Sequence, residues 1–102
     1  MRLLIGLALT LAALPAFAQT REDNLLKCAS DNLETGISGC TALLQSGQET
    51  TGRQAILYDI RGSDYENEGQ RVKAIADYRA ALKLDPDNND AHLGLQRLGA
   101  SP

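Results

Sequence analysis

The stretch Ala74-Ile75-Ala76-Asp77-Tyr78, followed by Leu84-Asp85-Pro86-Asp87-Asn88, decides the fold. Small and apolar residues recur here at intervals of three and four, which is typical of one face of a helix. Pro86 ends a helix because its ring removes a backbone donor, and the Asp and Asn residues after it favour a turn. The stretch therefore predicts an amphipathic helix that ends before Pro86, after which the chain turns back.

Helical spacing continues on both sides, and no segment shows the two-residue alternation of a strand. The chain is therefore predicted to be all-α. Leu25, Leu26 and Cys28 form the expected apolar face of the first helix, and Val72 and Ile75 belong to that of the fourth. The five predicted helices run approximately from Arg21 to Ala29, Leu33 to Leu44, Arg53 to Asn67, Gln70 to Leu84 and Asp90 to Leu98, with a polar linker over 46–52.

The second and fourth predicted helices share a pattern. Residues 36–44 align with residues 74–82, so that small and apolar positions coincide at an offset of 38 residues. Such an offset is typical of stacked helix hairpins, because one hairpin cannot bury its apolar face alone.

Residues 55–88 resemble one repeat of the tetratricopeptide repeat (TPR) family. The resemblance implies antiparallel helix hairpins of the TPR type, about two hairpins and a C-terminal capping helix, in a single domain over 19–102. The hairpins would span 21–46 and 53–88, and the cap 89–98. The residues that carry the resemblance are Tyr58, Gly62, Tyr65, Gly69, Ala74, Tyr78, Ala81 and Pro86.

Two residues depart from the family pattern. Arg61 lies where an apolar residue is usual beside the glycine, and Arg71 lies where an aromatic residue is common. Residues 28–47 are also similar to the cysteine-bearing leader segment of small exported bacterial proteins of this family. The departures affect the expected packing and leave the predicted fold class unchanged.

The first 18 residues are typical of a cleavable signal peptide. Arg2 precedes an apolar run from Leu3 to Leu14, and Ala16-Phe17-Ala18 supplies the small residues that precede cleavage. The run is too short for a membrane anchor. Cleavage after Ala18 leaves 84 residues, and the chain is then expected to be periplasmic or secreted.

The net charge excludes two classes of partner. The full chain has 10 basic and 13 acidic residues, and removal of Arg2 makes the net charge more negative, at −4. Nucleic acids and anionic membranes are bound chiefly through excess Lys and Arg, so neither is an expected partner.

Cys28 and Cys40 are the two cysteines of the chain. In a small exported protein a pair of cysteines is most simply a disulfide. A thiol-redox motif would place the cysteines two residues apart, and a zinc site would need four ligands, of which only His92 could add one. The pair is therefore predicted to join the two helices of the first hairpin.

The sequence contains no convincing catalytic, metal or cofactor site. His92 has no nucleophile beside it in the pattern, and a helix cap explains it better than a catalytic base. Residues 85–90 resemble a calcium loop superficially, but they lack its glycine and its final glutamate. Asp64, Glu66 and Glu68 form an acidic cluster that is best explained as a solvated helix end, although it leaves room for a basic partner.

The TPR resemblance implies a protein-binding module that is not an enzyme. In that family the first helix of each hairpin lines the peptide-binding surface. Some members of the family hold a terminal carboxylate with Lys and Asn residues. Asp59 and Ser63 occupy those positions here, so the expected ligand is a basic or mixed peptide or protein segment. Self-association, a secreted effector or inhibitor that blocks another protein's site and, last, an enzyme remain as alternatives. The predicted binding residues are Ile56, Asp59, Ser63, Glu66, Asn67, Asp90, Leu93 and Arg97.

The predicted disulfide has a direct test. Thiol titration of the unreduced protein, isolated from an oxidising compartment, is expected to detect no thiol before reduction and both cysteines after it. Two titratable thiols in unreduced material would contradict the bridge. In the chain-entropy model a loop this short contributes about 3 kcal/mol to the free energy of unfolding.

Overall fold

A computed structural model describes residues 16–102, with side chains from Thr20 onward. The predicted signal peptide, residues 1–18, lies outside this range except for its last three residues, which begin the first helix. Within the described range the chain forms five helices and no strand. They are α1 (Ala16–Cys28), α2 (Leu33–Gln45), α3 (Thr51–Asn67), α4 (Arg71–Leu84) and α5 (Asn89–Arg97).

The helices pack in chain order as antiparallel pairs, which confirms the all-α prediction. α1 packs on α2 and α3 packs on α4, while α2 and α3 join the two hairpins. α5 contacts both α4 and α3.

Short polar side chains set where three helices begin. Asn32, Thr50 and Asn88 accept hydrogen bonds from backbone N–H groups in the first turns of α2, α3 and α5, respectively. These caps satisfy donors that have no partner inside the helix. Because Thr50 is a cap, α3 begins at Thr51 rather than at the predicted Arg53, and the polar linker is shorter than expected.

The turn between α3 and α4 depends on Gly69. Its φ of +77° lies in the left-handed region, which favours glycine. The Gly69 N–H donates to the Glu66 carbonyl at 3.0 Å, and the Gln70 N–H donates to the Tyr65 carbonyl at 2.8 Å. This arrangement closes α3 within one turn, so α4 can return antiparallel to it.

The larger core is centred on Tyr78, whose relative exposure is 1%. Gly62 of α3 and Gly94 of α5 both face its ring, and a Cβ atom at Gly62 would lie 3.1 Å from two ring carbons. The Tyr78 hydroxyl donates to Glu66 Oε1 at 2.7 Å, so the buried polar end of the side chain is satisfied. The other buried members of this core are Ala74, Ile75, Ala81, Leu82, Ala91 and Leu95.

The smaller core lies around a disulfide between Cys28 and Cys40, whose Cα atoms are 4.6 Å apart. Leu43 of α2 and Leu57 of α3 complete this cluster. Gly39 allows α1 and α2 to approach closely, since a Cβ atom there would overlap the Cys28 backbone nitrogen. The structure thus contains the predicted bridge, and it places the bridge between the two helices of the first hairpin.

Two residues expected on apolar faces are exposed. Leu26 is 70% exposed and Val72 is 79% exposed. Neither side chain is covered as its place on an apolar face would suggest, because each lies near a helix end where no neighbouring helix covers it.

Arg61 contacts three helices. Its Nε and Nη2 atoms donate to the two carboxylate oxygens of Asp77 at 2.7 and 2.8 Å, and its Nη1 atom donates to Thr41 Oγ1 at 3.1 Å. The guanidinium also lies over the rings of Tyr58 and Tyr65, at 5.5 and 5.7 Å from the centroids. Arg61 thereby links α2, α3 and α4, which explains its departure from the apolar residue usual at this position.

Substitution of two helical glycines tests the packing around Tyr78. Gly94→Ala is expected to lower the free energy of unfolding by about 1–3 kcal/mol, because the added methyl overlaps the Tyr78 ring. Gly52→Ala is the control, since no atom lies within 4 Å of its Cβ position. It is expected to raise the stability by about 0.5 kcal/mol through helix propensity. Urea unfolding followed by circular dichroism measures both, and equal effects would contradict the packing argument.

Candidate functional site

Two clefts lie on opposite sides of α3. The first, which we call the acidic cleft, lies between α3 and α5 and has a volume of about 350 Å³. Tyr78 of α4 contributes to its floor. Its lining residues are Asp59, Ile60, Ser63, Asp64, Tyr78, Asp90 and Arg97.

The second cleft lies between α1 and α3 and has a volume of about 410 Å³. We call it the apolar cleft, because aliphatic side chains and the disulfide form most of its wall. Its lining residues are Arg21, Leu25, Cys28, Ala29, Glu49, Arg53, Ile56, Leu57 and Ile60.

The clefts meet at Ile60, which lines both of them. The apolar cleft lies between α3 and α1, and the acidic cleft lies between α3 and α5. Both clefts therefore open on the side of the helix array that α1, α3 and α5 form. We call the combined surface the groove.

The rim of the apolar cleft is charged but internally paired. Glu49, which is 7% exposed, accepts hydrogen bonds from Arg21 Nε at 2.7 Å and Arg21 Nη2 at 3.2 Å. Arg53 approaches the same carboxylate at 3.9 Å. The two arginines and one glutamate leave an excess positive charge at this end of the groove.

At the acidic cleft the carboxylates outnumber the cations that face them. Burial raises the pKa of Asp59 to about 6, and repulsion from Asp90 adds to this effect, while Arg97 partly opposes it. Burial also raises the pKa of Asp64, with a further contribution from Glu68.

Asp64 has a second distinctive feature. Its Oδ2 atom is buried and has no hydrogen-bond partner among the described residues. The side chain faces α2 at Gly36, where a Cβ atom would overlap Oδ2. A buried carboxylate oxygen without a donor is unfavourable, so Asp64 raises the free energy of the folded state.

The cationic group of this cleft, Arg97, is already paired. Its Nε and Nη2 atoms donate to Glu66 Oε2 and Oε1 at 3.1 and 3.0 Å. This contact lowers the pKa of Glu66, and the hydroxyl of Tyr78 contributes in the same direction. No ion pair forms at Asp59, Asp64 or Asp90 within the described residues, so Arg97 offsets their negative charge only in part and from a distance.

The structure brings together four of the predicted binding residues. Asp59 and Ser63 of α3 face Asp90 and Arg97 of α5 across the acidic cleft. Ile56, which is 54% exposed, lines the apolar cleft instead.

The other three predicted binding residues lie outside this set. Glu66 is engaged by Tyr78 and Arg97, so it supports the cleft rather than presenting a free carboxylate. Asn67 is the last residue of α3 and lines neither cleft. Leu93 is exposed and lines a different surface with Asn89 and Gln96.

Several groove residues were missed by sequence reasoning. The sequence places Leu25 on the apolar face of the first helix and Glu49 in the polar linker, and both line the apolar cleft. Nothing in the local pattern marks Glu49 as buried. In contrast, Asp77 lies among small and apolar residues on the inner face of α4, a spacing that signals a buried carboxylate in need of a partner such as Arg61.

The residues considered for chemistry have structural roles. The His92 ring Nε2 lies 2.8 Å from the Pro86 carbonyl oxygen. In the turn before α5, Asp85 Oδ1 accepts from the Asp87 N–H, and Asn88 caps α5. Among residues 16–102 no group of three or more His, Cys, Asp or Glu side chains is arranged to hold a metal ion. No helix in the same range is long and apolar enough to cross a membrane.

Comparison with known protein families identifies a TPR repeat at residues 62–95. The match begins at Gly62 in α3 and ends at Leu95 in α5, later at both ends than the expected 55–88, and it includes the Tyr78 core. TPR repeats are usually binding modules without catalytic activity, and no enzyme family was found. No match was found among curated proteins or among solved structures.

The raised pKa of Asp59 predicts a pH-dependent stability. Deprotonation of Asp59 is harder in the folded state, so its unfavourable contribution grows as the pH rises from about 4 to 6. At pH 7 the variant Asp59→Asn is expected to unfold with a free energy about 1 kcal/mol higher than the wild type. This value is discounted from the full shift because the side chain is half-buried and screened by solvent.

The measurement is urea unfolding of both proteins between pH 4 and pH 7.5, and the difference is expected to disappear near pH 4. Asp87→Asn removes an exposed carboxylate outside the groove and serves as the control. A constant difference between Asp59→Asn and the wild type across this range would contradict the assignment.

Proposed function

We propose that the chain is an exported protein-interaction module that binds a peptide segment of a partner protein in the groove. The TPR repeat at 62–95 supports protein binding in general. The location in the periplasm or outside the cell rests on the signal-like sequence of residues 1–18. The role of the groove rests on its chemistry.

The observation that carries the proposal is the set of incompletely compensated carboxylates beside an apolar cleft. Asp59, Asp64 and Asp90 share one cleft, and Arg97 is already paired with Glu66. Asp59 and Asp64 lose part of their solvation without forming an ion pair in the described part of the chain, which raises the free energy of the folded state, while Asp90 is exposed and adds negative charge at the rim. A basic segment relieves this cost on binding, and adjacent apolar surface provides the area that specific recognition requires.

Affinity capture from envelope and secreted proteins tests this function. The bait is the full chain, expressed with its leader and isolated in oxidised form, so that its mass also reports whether cleavage follows Ala18. The groove variant carries Asp59→Lys and Asp90→Lys. Glu66 is left intact, because its loss would release Tyr78 and Arg97.

A matched control carries Asp31→Lys and Asp87→Lys, which make the same charge change at exposed positions outside the groove. A partner that binds the wild type and the control but not the groove variant is the expected result. Equal capture by all three baits would place the binding surface elsewhere. Capture of the chain by itself alone would indicate self-association in place of an adapter.

A further inference from the structure

We infer that the groove selects a segment with one aliphatic side chain and one Lys or Arg side chain three residues apart, seated in the apolar cleft and the acidic cleft, respectively. This inference rests on the proposed function and adds the chemistry and spacing of the ligand. Its occupant is an extended segment of a partner protein.

The two clefts differ in the side chain that each can take. The apolar cleft is lined by Leu25, Ala29 and Ile56, and it is large enough for a branched aliphatic side chain. Leu25 and Ile56 are 38% and 54% exposed, so contact with a ligand would remove apolar area from water on both sides.

Charge fixes which end takes the cation. A Lys or Arg side chain at the apolar cleft would meet Arg21 and Arg53, which are held at the rim by Glu49. At the other end the same side chain meets Asp59 and Asp90, and the carboxylate of Asp64 lines the same cleft. The groove therefore has opposite polarity at its two ends, and the aliphatic and basic side chains are not interchangeable.

The spacing follows from α3, which separates the clefts. A helix with its side chains is roughly 10 Å across, and Ile60 of α3 lines both clefts. A segment in the extended polyproline II conformation advances about 3.1 Å per residue and has three residues per turn, so side chains three positions apart face the same surface and lie about 9 Å from each other. Side chains in adjacent positions fall short of this distance, and a separation of six residues exceeds it.

The disulfide contributes to this selection because Cys28 is part of the apolar cleft wall. The bridge holds the end of α1 to α2, and α2 is packed against α3. The position of Leu25 relative to Ile56 therefore depends on the covalent link between α1 and α2 and on the packing of α2 against α3.

A set of eight-residue peptides tests the inference. Each carries one Leu and one Lys in a Ser/Gly host, separated by one to six positions and in both orders, and binding is measured by amide chemical-shift titration of the isotopically labelled protein. The peptide with a separation of three is expected to bind best. Replacement of its Leu by Ser is expected to weaken binding about tenfold, and replacement of its Lys by Ser about threefold at low salt.

Two protein variants assign each preference to its cleft. Ile56→Ser is expected to abolish the advantage of Leu over Ser in the peptide while keeping the advantage of Lys. Asp59→Asn with Asp90→Asn is expected to do the reverse. All three substituted side chains are exposed or half-buried, and the variants are checked for unchanged folding by circular dichroism.

Independence of affinity from spacing would overturn the inference, as would loss of both preferences in one folded variant. If none of the peptides binds while the groove variant still loses a partner in affinity capture, the two-cleft rule is wrong and the proposed function stands. If capture is also unaffected by the groove variant, both are wrong.

Discussion

The ring of Tyr78 lies between two glycines, and the relative positions of α3, α4 and α5 depend on this contact. Gly62 and Gly94 approach the ring from two helices, and neither position leaves room for a side chain without displacement. Protein interiors are packed so closely that a single added carbon shifts the neighbouring elements. The buried phenol therefore sets the separation of α3 and α5, which is also the width of the acidic cleft.

Polar contacts at the same core determine which charges face the cleft. The Tyr78 hydroxyl orients Glu66, and Glu66 in turn holds Arg97 through two hydrogen bonds. Because this cation is occupied, the neighbouring aspartates form no ion pair with it. On the opposite face, Arg61 bonds to Asp77 with both side chains largely buried, and it ties the second hairpin to the first. The Arg61–Asp77 ion pair thus stabilises the helix array, whereas the aspartates of the acidic cleft form no ion pair with any described residue and give that surface its negative charge.

The first hairpin has little apolar core of its own, and covalent and ionic links compensate for this. Its buried cluster contains the disulfide, Leu43 and Leu57, and Leu57 belongs to the next helix. Arg21 and Glu49 add a link between α1 and the segment that precedes α3. These constraints position α1 beside α3 without filling the space between them, and the apolar cleft remains open as a result.

The sequence by itself determined the helices, their order and the repeat, because helical periodicity, Pro86, Gly69 and the polar caps act within a few residues of the chain. It also determined the cysteine pair, since the chain contains only Cys28 and Cys40. Tertiary structure alone decided that Leu26 and Val72 are exposed, that Glu49 is buried and that Glu66 is paired with Arg97. These outcomes depend on contacts between residues of different helices, such as Arg97 and Glu66, which are 31 positions apart in the sequence. Local periodicity specifies which face of a helix is apolar, but the burial and charge of each residue on that face depend on which neighbour covers it.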